Sequence, residues 1–381
     1  MTTTLDPRVL SFRRKQIRHH TLDEVLSHVL RIVESPRPES VLVLTGPSGV
    51  GKSTVIGAIE RRLTGLHADR LKANPGTLPY LSIRVPTPLD GHFNWKDLFT
   101  RLLTTSGEVL IKNKAMNQFQ FDLDGQHYPT TKGMVREELR RSLESLIRNR
   151  SVPIVILDEA SALLRLKKGA IPTLQFEILK SLAVELRIPI ILVGAYDLLG
   201  VLEGNGQLLR RADVVHFRRY DARCAPAGER SDLKHMADII SAFLAAMDID
   251  QEPGLIDHAD YFMLKSIGCT GVLKDWLDRA LVASIAEDPA SPRLTRRILE
   301  QCALSNREIL KLTREAVAGE IHLRQADDDE LATTLGLGYT PSLNLQMPEQ
   351  EVSPPTLPAK RKPRAGIKRG PSRDPVGVPH V

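Results

Sequence analysis

Short apolar runs alternate with longer amphipathic stretches along the first 217 residues. The runs occupy residues 41–45, 78–85, 154–157, 188–195 and 213–217. Apolar runs of this length, without polar alternation, are typical of strands buried on both faces of a parallel sheet. The stretches between them carry apolar residues at helical spacing, and they predict helices at 21–34, 94–103, 134–149 and 172–187.

The pattern changes beyond about residue 230, where only helical periods remain. They predict helices at 231–247, 257–267, 271–286, 295–303 and 306–319. Strands alternating with helices, followed by helices alone, indicate an α/β domain with a parallel sheet covered by helices on both faces, and then a small all-helical subdomain. From Pro341 onward the period is lost, and the Pro-rich, then basic composition predicts a disordered C-terminal tail.

Composition and charge, together with the predicted elements, divide the chain into four segments. We predict a basic N-terminal arm at 1–20, the α/β domain at 21–225, the helical subdomain at 226–325 and the Pro-rich basic tail at 326–381. The formal net charge is +6, and residues 359–381 hold seven Lys or Arg against one Asp. The rest of the chain is therefore close to neutral, and the basic character belongs to the tail.

Membrane insertion and export are not predicted. No apolar stretch reaches the length of a membrane-spanning helix, and the N-terminus lacks the apolar segment of a signal peptide. Cys224, Cys269 and Cys302 are far apart and show no metal-ligand spacing, so buried, reduced thiols are expected. These features favour a cytoplasmic protein without a membrane partner.

The stretch LTGPSGVGKSTV, residues 44–55, carries the strongest chemical signal. Its spacing of Gly46, Gly51, Lys52 and Ser53 is that of a P-loop, whose glycines let successive backbone N–H groups point at phosphate oxygens. Lys52 is expected to reach the β- and γ-phosphates of ATP, and the Ser53 hydroxyl to bind Mg²⁺. The alternative is an ordinary Gly-rich turn. The predicted nucleotide contacts are Gly46, Pro47, Ser48, Gly49, Val50, Gly51, Lys52, Ser53 and Thr54.

A second apolar run, in VPIVILDEAS, ends in two carboxylates. Asp158 is placed to hold the Mg²⁺, as a Walker B aspartate does, and Glu159 to orient or deprotonate the attacking water. The alternative is that Asp158 caps the next helix and Glu159 is a solvated acid in its first turn. Paired with the P-loop, the sequence favours the catalytic interpretation and therefore ATP hydrolysis.

The chain from about Arg13 to about Gly319 resembles the AAA+ class of ATPases, and within it the transposition ATPases of the TniB/TnsC type. The resemblance rests on RRKQIRHHTLDEVLSHV, LTGPSGVGKST, VILDEA, IPIILVGAYDL, QLLRRADVVHFRRY and GCTGVLKDWLDRALVAS. It implies an AAA+ core followed by a helical lid. It also implies ATP-dependent rings or helical filaments of this chain on double-stranded DNA without sequence preference. Such assemblies mark a target, respond to target-selector proteins and recruit a transposase, and hydrolysis resets them.

The resemblance also implies roles for single residues. Arg211, with Arg210 as the second choice, matches the arginine finger that reaches a neighbouring subunit's nucleotide, and a solvated basic pair at a helix end is the alternative interpretation. Lys274 falls where a lid helix offers a sensor-2 cation to the nucleotide, although a solvated lysine is equally compatible. Ile17, Arg18 and His19 correspond to the arm beside the adenine, or to an unstructured arm. The sensor-1 strand at 188–195 lacks the expected Asn or Thr at its end.

DNA contacts are implied for basic and hydroxyl side chains after the second strand. They are Thr87, Lys96, Arg101, Lys112 and Lys114. Contacts of this kind go to phosphates and carry little sequence information, and an ordinary charged surface is the alternative. No helix-turn-helix or zinc-finger spacing is visible, so sequence-specific reading of DNA is not expected.

Other functions fit the same ATP site less well. A replication initiator or helicase loader is the first alternative, but the residues after 320 look too short for the winged helix that it needs. A secretion-associated ATPase of the ExeA type needs an apolar span or a wall-binding module, and neither is visible. A small-molecule kinase is disfavoured, because Glu159 follows the metal aspartate directly.

Overall fold

The computed structural model describes most of the chain. The described residues are 6–35, 40–88, 91–108, 119–121, 127–129, 132–166, 168, 171–203, 212–224, 230–323 and 328–337. The chain forms one compact unit at 1–324 and a second at 325–381. Of the tail predicted at 326–381, only residues 328–337 are described. The candidate residues Lys112, Lys114, Arg210 and Arg211 lie outside the described residues.

The strands of the first unit confirm the predicted parallel sheet. They are β1 (Val41–Thr45), β2 (Leu81–Arg84), β3 (Phe119–Phe121), β4 (His127–Pro129), β5 (Val155–Asp158), β6 (Ile190–Gly194), β7 (Ala212–His216), β8 (Asp250–Gln251) and β9 (Arg293–Leu294). The main sheet has the order β2-β5-β6-β1-β7, with all of its pairs parallel. β3 and β4 form a separate antiparallel pair in a region where the sequence predicts no regular structure.

Helices connect the strands and continue beyond them. They are α1 (Pro7–Arg14), α2 (His20–Glu34), α3 (Lys52–Leu66), α4 (Ala68–Ala73), α5 (Trp95–Thr105), α6 (Lys132–Asn149), α7 (Thr173–Leu186), α8 (Asp197–Glu203), α9 (Asp232–Ala245), α10 (Ala259–Ser266), α11 (Thr270–Glu287), α12 (Arg296–Cys302), α13 (Asn306–Ile321) and, in the second unit, α14 (Asp328–Thr334). The helices predicted from the apolar period are found, with their ends within a few residues.

Alternate residues of β1 pack on opposite faces of the sheet. Val41 and Val43 belong to a buried cluster with side chains of α5, α6 and α7, whereas Leu42 and Leu44 belong to another with side chains of α2 and α3. Successive strand side chains point to opposite faces, so helices on both faces bury the whole strand. This double burial explains why the sequence of β1 is a continuous apolar run.

A third apolar cluster joins α9, α10, α11 and α12 into the helical subdomain. Trp276 is its largest fully buried side chain, and its indole N–H donates to the carbonyl of Leu299 at 2.8 Å. Val9 and Phe12 of α1 are buried in the same cluster. The N-terminal arm therefore contains a helix that packs on the helical subdomain, which the sequence pattern does not predict.

The start of α1 follows a simple local rule. The Asp6 carboxylate accepts a hydrogen bond from the backbone N–H of Arg8 at 2.8 Å, and Pro7 occupies the first helical position. An acidic N-cap followed by proline is a favoured helix start. None of the helices in the described ranges is long and apolar enough to cross a membrane.

Candidate nucleotide-binding site

The loop between β1 and α3 has the backbone shape that a phosphate site needs. Gly49 and Gly51 adopt positive φ angles of 76° and 111°. A Cβ atom at Gly46 would lie 2.3 Å from the carbonyl oxygen of Phe217, so the residue after β7 leaves no room for a side chain there. These glycines allow the tight turn, and α3 begins at Lys52 with its amide groups facing the loop.

Lys52 is the first residue of α3, and its side chain reaches back to the loop. Its ammonium group donates to the carbonyls of Gly46 at 2.8 Å and Pro47 at 2.9 Å. Burial lowers the pKa of Lys52, and the negative charges of Glu159, Asp158 and Asp197 oppose that shift. The fold therefore brings three carboxylates from the ends of two other strands close enough to act on the loop lysine.

Asp158 is the last residue of β5, and Glu159 follows it at a sharp turn. Glu159 has a positive φ of 54°, and its backbone N–H donates to the Asp158 carboxylate at 2.9 Å. Burial raises the pKa of Asp158, while the Glu159 N–H and the nearby cations Arg84 and Lys52 hold it down. Arg84, at the end of the paired strand β2, has its Nε 3.9 Å from an Asp158 oxygen.

The donor set suits Mg²⁺ better than a softer metal. Ser53 is exposed in the first turn of α3, and the carboxylate of Asp158 lies at the carboxyl end of the sheet. A hydroxyl and a carboxylate are hard oxygen ligands, and Mg²⁺ usually keeps waters and binds phosphate oxygens as well. The residues present therefore fit the Mg²⁺ that a nucleotide would bring.

A polar pair that the sequence pattern does not predict stands at the end of β6. The hydroxyl of Ser161 donates to the Asp197 carboxylate at 2.6 Å and accepts from the N–H of Ala195 at 3.3 Å. Asp197 is one of the charges that act on Lys52. The sensor-1 strand lacks Asn or Thr, but this pair puts a hydroxyl and a carboxylate at its end. The signal in the sequence is an Asp shortly after a buried strand.

A pocket of about 120 Å³ lies between the N-terminal arm, the P-loop and the helical subdomain. Ile17 and His19 of the arm line it, whereas Arg18 is exposed and pairs with Asp23 at 2.9 Å. The His19 ring stacks on Phe217 with centroids 6.2 Å apart, and its Nδ1 lies 3.1 Å from the Tyr220 hydroxyl. Burial lowers the pKa of His19 to about 4, so the imidazole is neutral at neutral pH.

Lys274 lines the same pocket as Gly51 and Thr54. Its ammonium group donates to the carbonyls of Arg13 at 2.8 Å and Lys15 at 2.7 Å. Burial lowers its pKa. The structure thus places Lys274 against the main chain of the arm, and its sensor-2 role toward the phosphates remains a prediction.

The candidate DNA contacts that are described lie near one end of the sheet. Thr87 is exposed just after β2, and Lys96 is exposed in the first turn of α5. Arg101 is also exposed, but its guanidinium donates to the Asp97 carboxylate at 3.1 Å. Lys96 is therefore better placed than Arg101 to contact a DNA phosphate.

Comparisons with known proteins agree with this architecture. Residues 34–202 match the sequence profile of a family described as an AAA domain. The match confirms the predicted AAA+ P-loop fold and the prediction of an ATPase. Among curated proteins, none matches the chain.

Solved structures that match the chain include three proteins at low identity. ORC2 of Aeropyrum pernix, in ADPNP-ADP complexes, is 14% identical, with 86% of this chain and 74% of that chain covered and a TM-score of 0.48. ORC1 of Aeropyrum pernix, in complex with DNA, is 17% identical, with coverages of 78% and 70% and a TM-score of 0.49. RuvB of Thermotoga maritima, a Holliday junction branch migration motor, is 17% identical, with coverages of 86% and 86% and a TM-score of 0.39.

Proposed function

From the AAA-type P-loop ATPase domain that this chain carries, we propose that the protein is an ATP-dependent regulator of DNA transposition that assembles on double-stranded DNA. The observation that carries its ATP chemistry is that the parallel strands β1 and β5 end at the same edge of one sheet, so the loop with Lys52 and the carboxylates of Asp158 and Glu159 lie at that edge. A phosphate loop and a carboxylate pair at this edge form the arrangement that phosphoryl transfer to water requires.

The residues divide the chemistry between them. The backbone N–H groups of the loop between Gly46 and Thr54 and the Lys52 ammonium would hold the phosphates. Ser53 and Asp158 would hold a Mg²⁺ ion, which would supply positive charge beside the phosphate oxygens. We propose that Glu159 accepts a proton from the attacking water or orients it, since it follows Asp158 directly in the chain, at a turn with positive φ. The polar pair of Ser161 and Asp197 borders the same space.

The arginine that completes the site comes from another subunit. Ala212, which follows Arg211 in the chain, pairs with Val41 at the amino edge of the sheet, and β1 runs from there to Thr45 before the P-loop. At about 3.3 Å per residue, Ala212 is about 13 Å from the level of the P-loop. Arg211 matches the arginine finger by its place in the sequence, and we propose that it acts in trans, where a cation stabilises transition-state charge only after subunits have assembled.

DNA supplies the template for that assembly. Thr87 and Lys96 are exposed after β2 and at the start of α5, and Lys112 and Lys114 add cations in the following segment of the sequence. A few phosphate contacts per subunit are weak singly, but an assembly multiplies them. The ATP-bound assembly marks a target and recruits a transposase, and hydrolysis resets it; this part of the proposal is supported by the sequence resemblance to transposition ATPases.

The proposal is tested by ATP hydrolysis with and without non-specific double-stranded DNA, together with negative-stain microscopy in a non-hydrolysable ATP analogue. We expect rings or helices only with both DNA and analogue, and DNA binding that weakens steeply with salt. A strand-transfer assay with candidate transposases of the source organism then tests target marking. Turnover indifferent to DNA, without any assembly, would contradict the proposal.

Lys96→Gln sharpens the test of the DNA surface. This variant removes an exposed cation without touching the ATP site. In a plot of the logarithm of the DNA-binding constant against the logarithm of the salt concentration, the slope should become shallower by about one unit for each subunit that contacts DNA. Lys180→Gln, on α7, is the matched control. Equal salt dependence in both variants would remove Lys96 from the DNA-binding surface.

A further inference from the structure

The first turn of α11 is bonded directly to the P-loop. The backbone N–H groups of Gly271 and Val272 donate to the carbonyl of Gly49 at 2.7 and 3.3 Å. The hydroxyl of Thr270 is buried and donates to the carbonyl of Val50 at 3.0 Å. Two consecutive P-loop carbonyls therefore receive their hydrogen bonds from the helical subdomain.

The contact is too close for a side chain at its centre. A Cβ atom at Gly271 would lie 2.4 Å from the carbonyl oxygen of Gly49. Val272 covers the same glycine from the other side, because a Cβ at Gly49 would lie 2.7 Å from a Val272 methyl. The glycine at 271 thus lets the helix start approach the loop backbone, and the two surfaces fit closely.

These bonds determine where the loop amides point. In a trans peptide unit the carbonyl and the following N–H point in opposite directions. Holding the carbonyl of Gly49 against α11 therefore turns the N–H of Val50 toward the inside of the loop, where it donates to the carbonyl of Pro47 at 3.4 Å. Holding the carbonyl of Val50 does the same for the N–H of Gly51. Amides turned inward are the groups that bind phosphate oxygens.

We propose that Thr270 is a positioning residue for nucleotide binding: its hydroxyl, with the amides of Gly271 and Val272, pre-arranges the phosphate-binding amides of the P-loop. The helical subdomain thereby contributes to phosphate affinity without touching the phosphate. The inference rests on the proposed binding of ATP at this loop and does not depend on DNA or on a transposase.

The test compares Thr270→Val with Thr270→Ser. Valine keeps the shape but leaves the Val50 carbonyl without its donor, whereas serine retains the hydroxyl. Thr313→Val is the matched control, because the Thr313 hydroxyl donates to the carbonyl of Ile309 at 2.8 Å within α13 and not to a P-loop carbonyl. Dissociation constants for ADP, AMP and a non-hydrolysable ATP analogue are measured by titration calorimetry, and thermal unfolding without nucleotide shows that each variant is folded.

Thr270→Val should weaken ADP and the ATP analogue by about tenfold, the cost of one lost hydrogen bond to a buried group. AMP, which lacks the β-phosphate, should lose much less, and Thr270→Ser should restore most of the affinity. Normal ADP affinity in Thr270→Val, or equal losses for AMP and ADP, would overturn the inference, since equal losses would place the effect away from the β-phosphate. An unmodified protein that binds no nucleotide would overturn the proposed function and this inference with it.

Discussion

The two halves of the proposed nucleotide site are built in different ways. The phosphate half consists of the loop from Gly46 to Thr54 with Asp158 and Glu159, so it is made of backbone amides and residues at strand ends. For the base half we propose the pocket lined by Ile17, His19 and Lys274, whose side chains come from the arm and the helical subdomain. The phosphate half is part of the sheet, whereas the base half forms only where the arm, the P-loop and the helical subdomain meet.

This difference indicates which substitutions should impair nucleotide binding in each half. The phosphate half is held by the sheet and by contacts to its main chain, so changes to its charges, to its glycines or to the α11 residues bonded to the loop should matter. The base half depends on packing between the arm and the helical subdomain, so its loss should follow any loosening of that contact. The junction between the halves is the contact of α11 with the P-loop.

The largest effect is expected in the phosphate half, at Glu159. Glu159→Gln keeps the shape of the side chain but removes the proton acceptor, and hydrolysis should fall by about 100- to 10 000-fold. Nucleotide binding should be nearly unchanged, since the loop and Lys52 remain. Steady-state hydrolysis and equilibrium binding are the measurements, with the exposed Glu137→Gln on α6 as control. Hydrolysis near the unmodified rate would remove Glu159 from the catalytic role.

The next effect lies at the junction. Gly271→Ala puts a methyl group 2.4 Å from the Gly49 carbonyl, so the helix or the loop must shift. We expect a loss of about 1–3 kcal/mol in the free energy of ATP binding, the usual cost of overpacking. Gly65→Ala, where a Cβ meets no atom within 4 Å, is the control and should leave binding intact. Equal binding by both variants would mean that the contact does not shape the loop.

A smaller effect, in the base half, depends on pH. The pKa of His19 is about 4 in the folded chain against an ordinary value of 6.5, chiefly because of burial. As pH falls below about 6.5 the unfolded chain takes up a proton that the folded chain refuses, so stability present at pH 7 is lost progressively toward pH 4. Between pH 7 and 5 this loss should amount to about 1–2 kcal/mol.

Denaturant unfolding of His19→Gln at the two pH values isolates that contribution. The free energy of unfolding should fall less between pH 7 and pH 5 in the variant than in the unmodified protein. The difference between the two decreases is the contribution of His19. His28→Gln, at an exposed position on α2, should behave like the unmodified protein. A His19→Gln profile that parallels the unmodified one would show that His19 is not buried against Phe217 and Tyr220 in solution.

The smallest effect is expected at Lys274. Lys274→Met removes two hydrogen bonds to the carbonyls of Arg13 and Lys15, and it should lower the free energy of unfolding by about 1 kcal/mol. Nucleotide affinity should fall modestly and equally for AMP and ADP, because the change loosens the base half. Lys265→Met, which loses one bond to Asn306, is the control. A selective loss of ATP over AMP would instead place Lys274 at the phosphates.

The sheet and the phosphate half were predictable because their signals are local. Strand β1 is an unbroken apolar run and the loop follows it at fixed spacing, so neighbouring residues carry the whole pattern. The helices of the subdomain were predictable for the same reason. In contrast, Thr270 and the pair of Ser161 and Asp197 act through contacts between distant segments.

The N-terminal arm contains buried apolar residues that its basic composition does not predict. Its many basic residues suggest a solvated segment, yet Val9 and Phe12 are buried in the helical subdomain. Two apolar residues three apart are too weak a period to predict a helix, and only their partners in the helical subdomain make the burial favourable. Arg13 also has its partner in the helical subdomain, because its guanidinium pairs with Asp278 of α11 at 2.9 Å.

The central claim is that the ATP site of one subunit is completed by Arg211 of another on DNA. Mixing two inactive variants, Glu159→Gln and Arg211→Ala, tests it most directly. The first retains the arginine and the second retains the carboxylate, so about a quarter of the interfaces in an equal mixture are complete. We predict that each variant alone is nearly inactive with DNA and that the mixture recovers hydrolysis. No recovery, or full activity of Arg211→Ala alone, would contradict the claim.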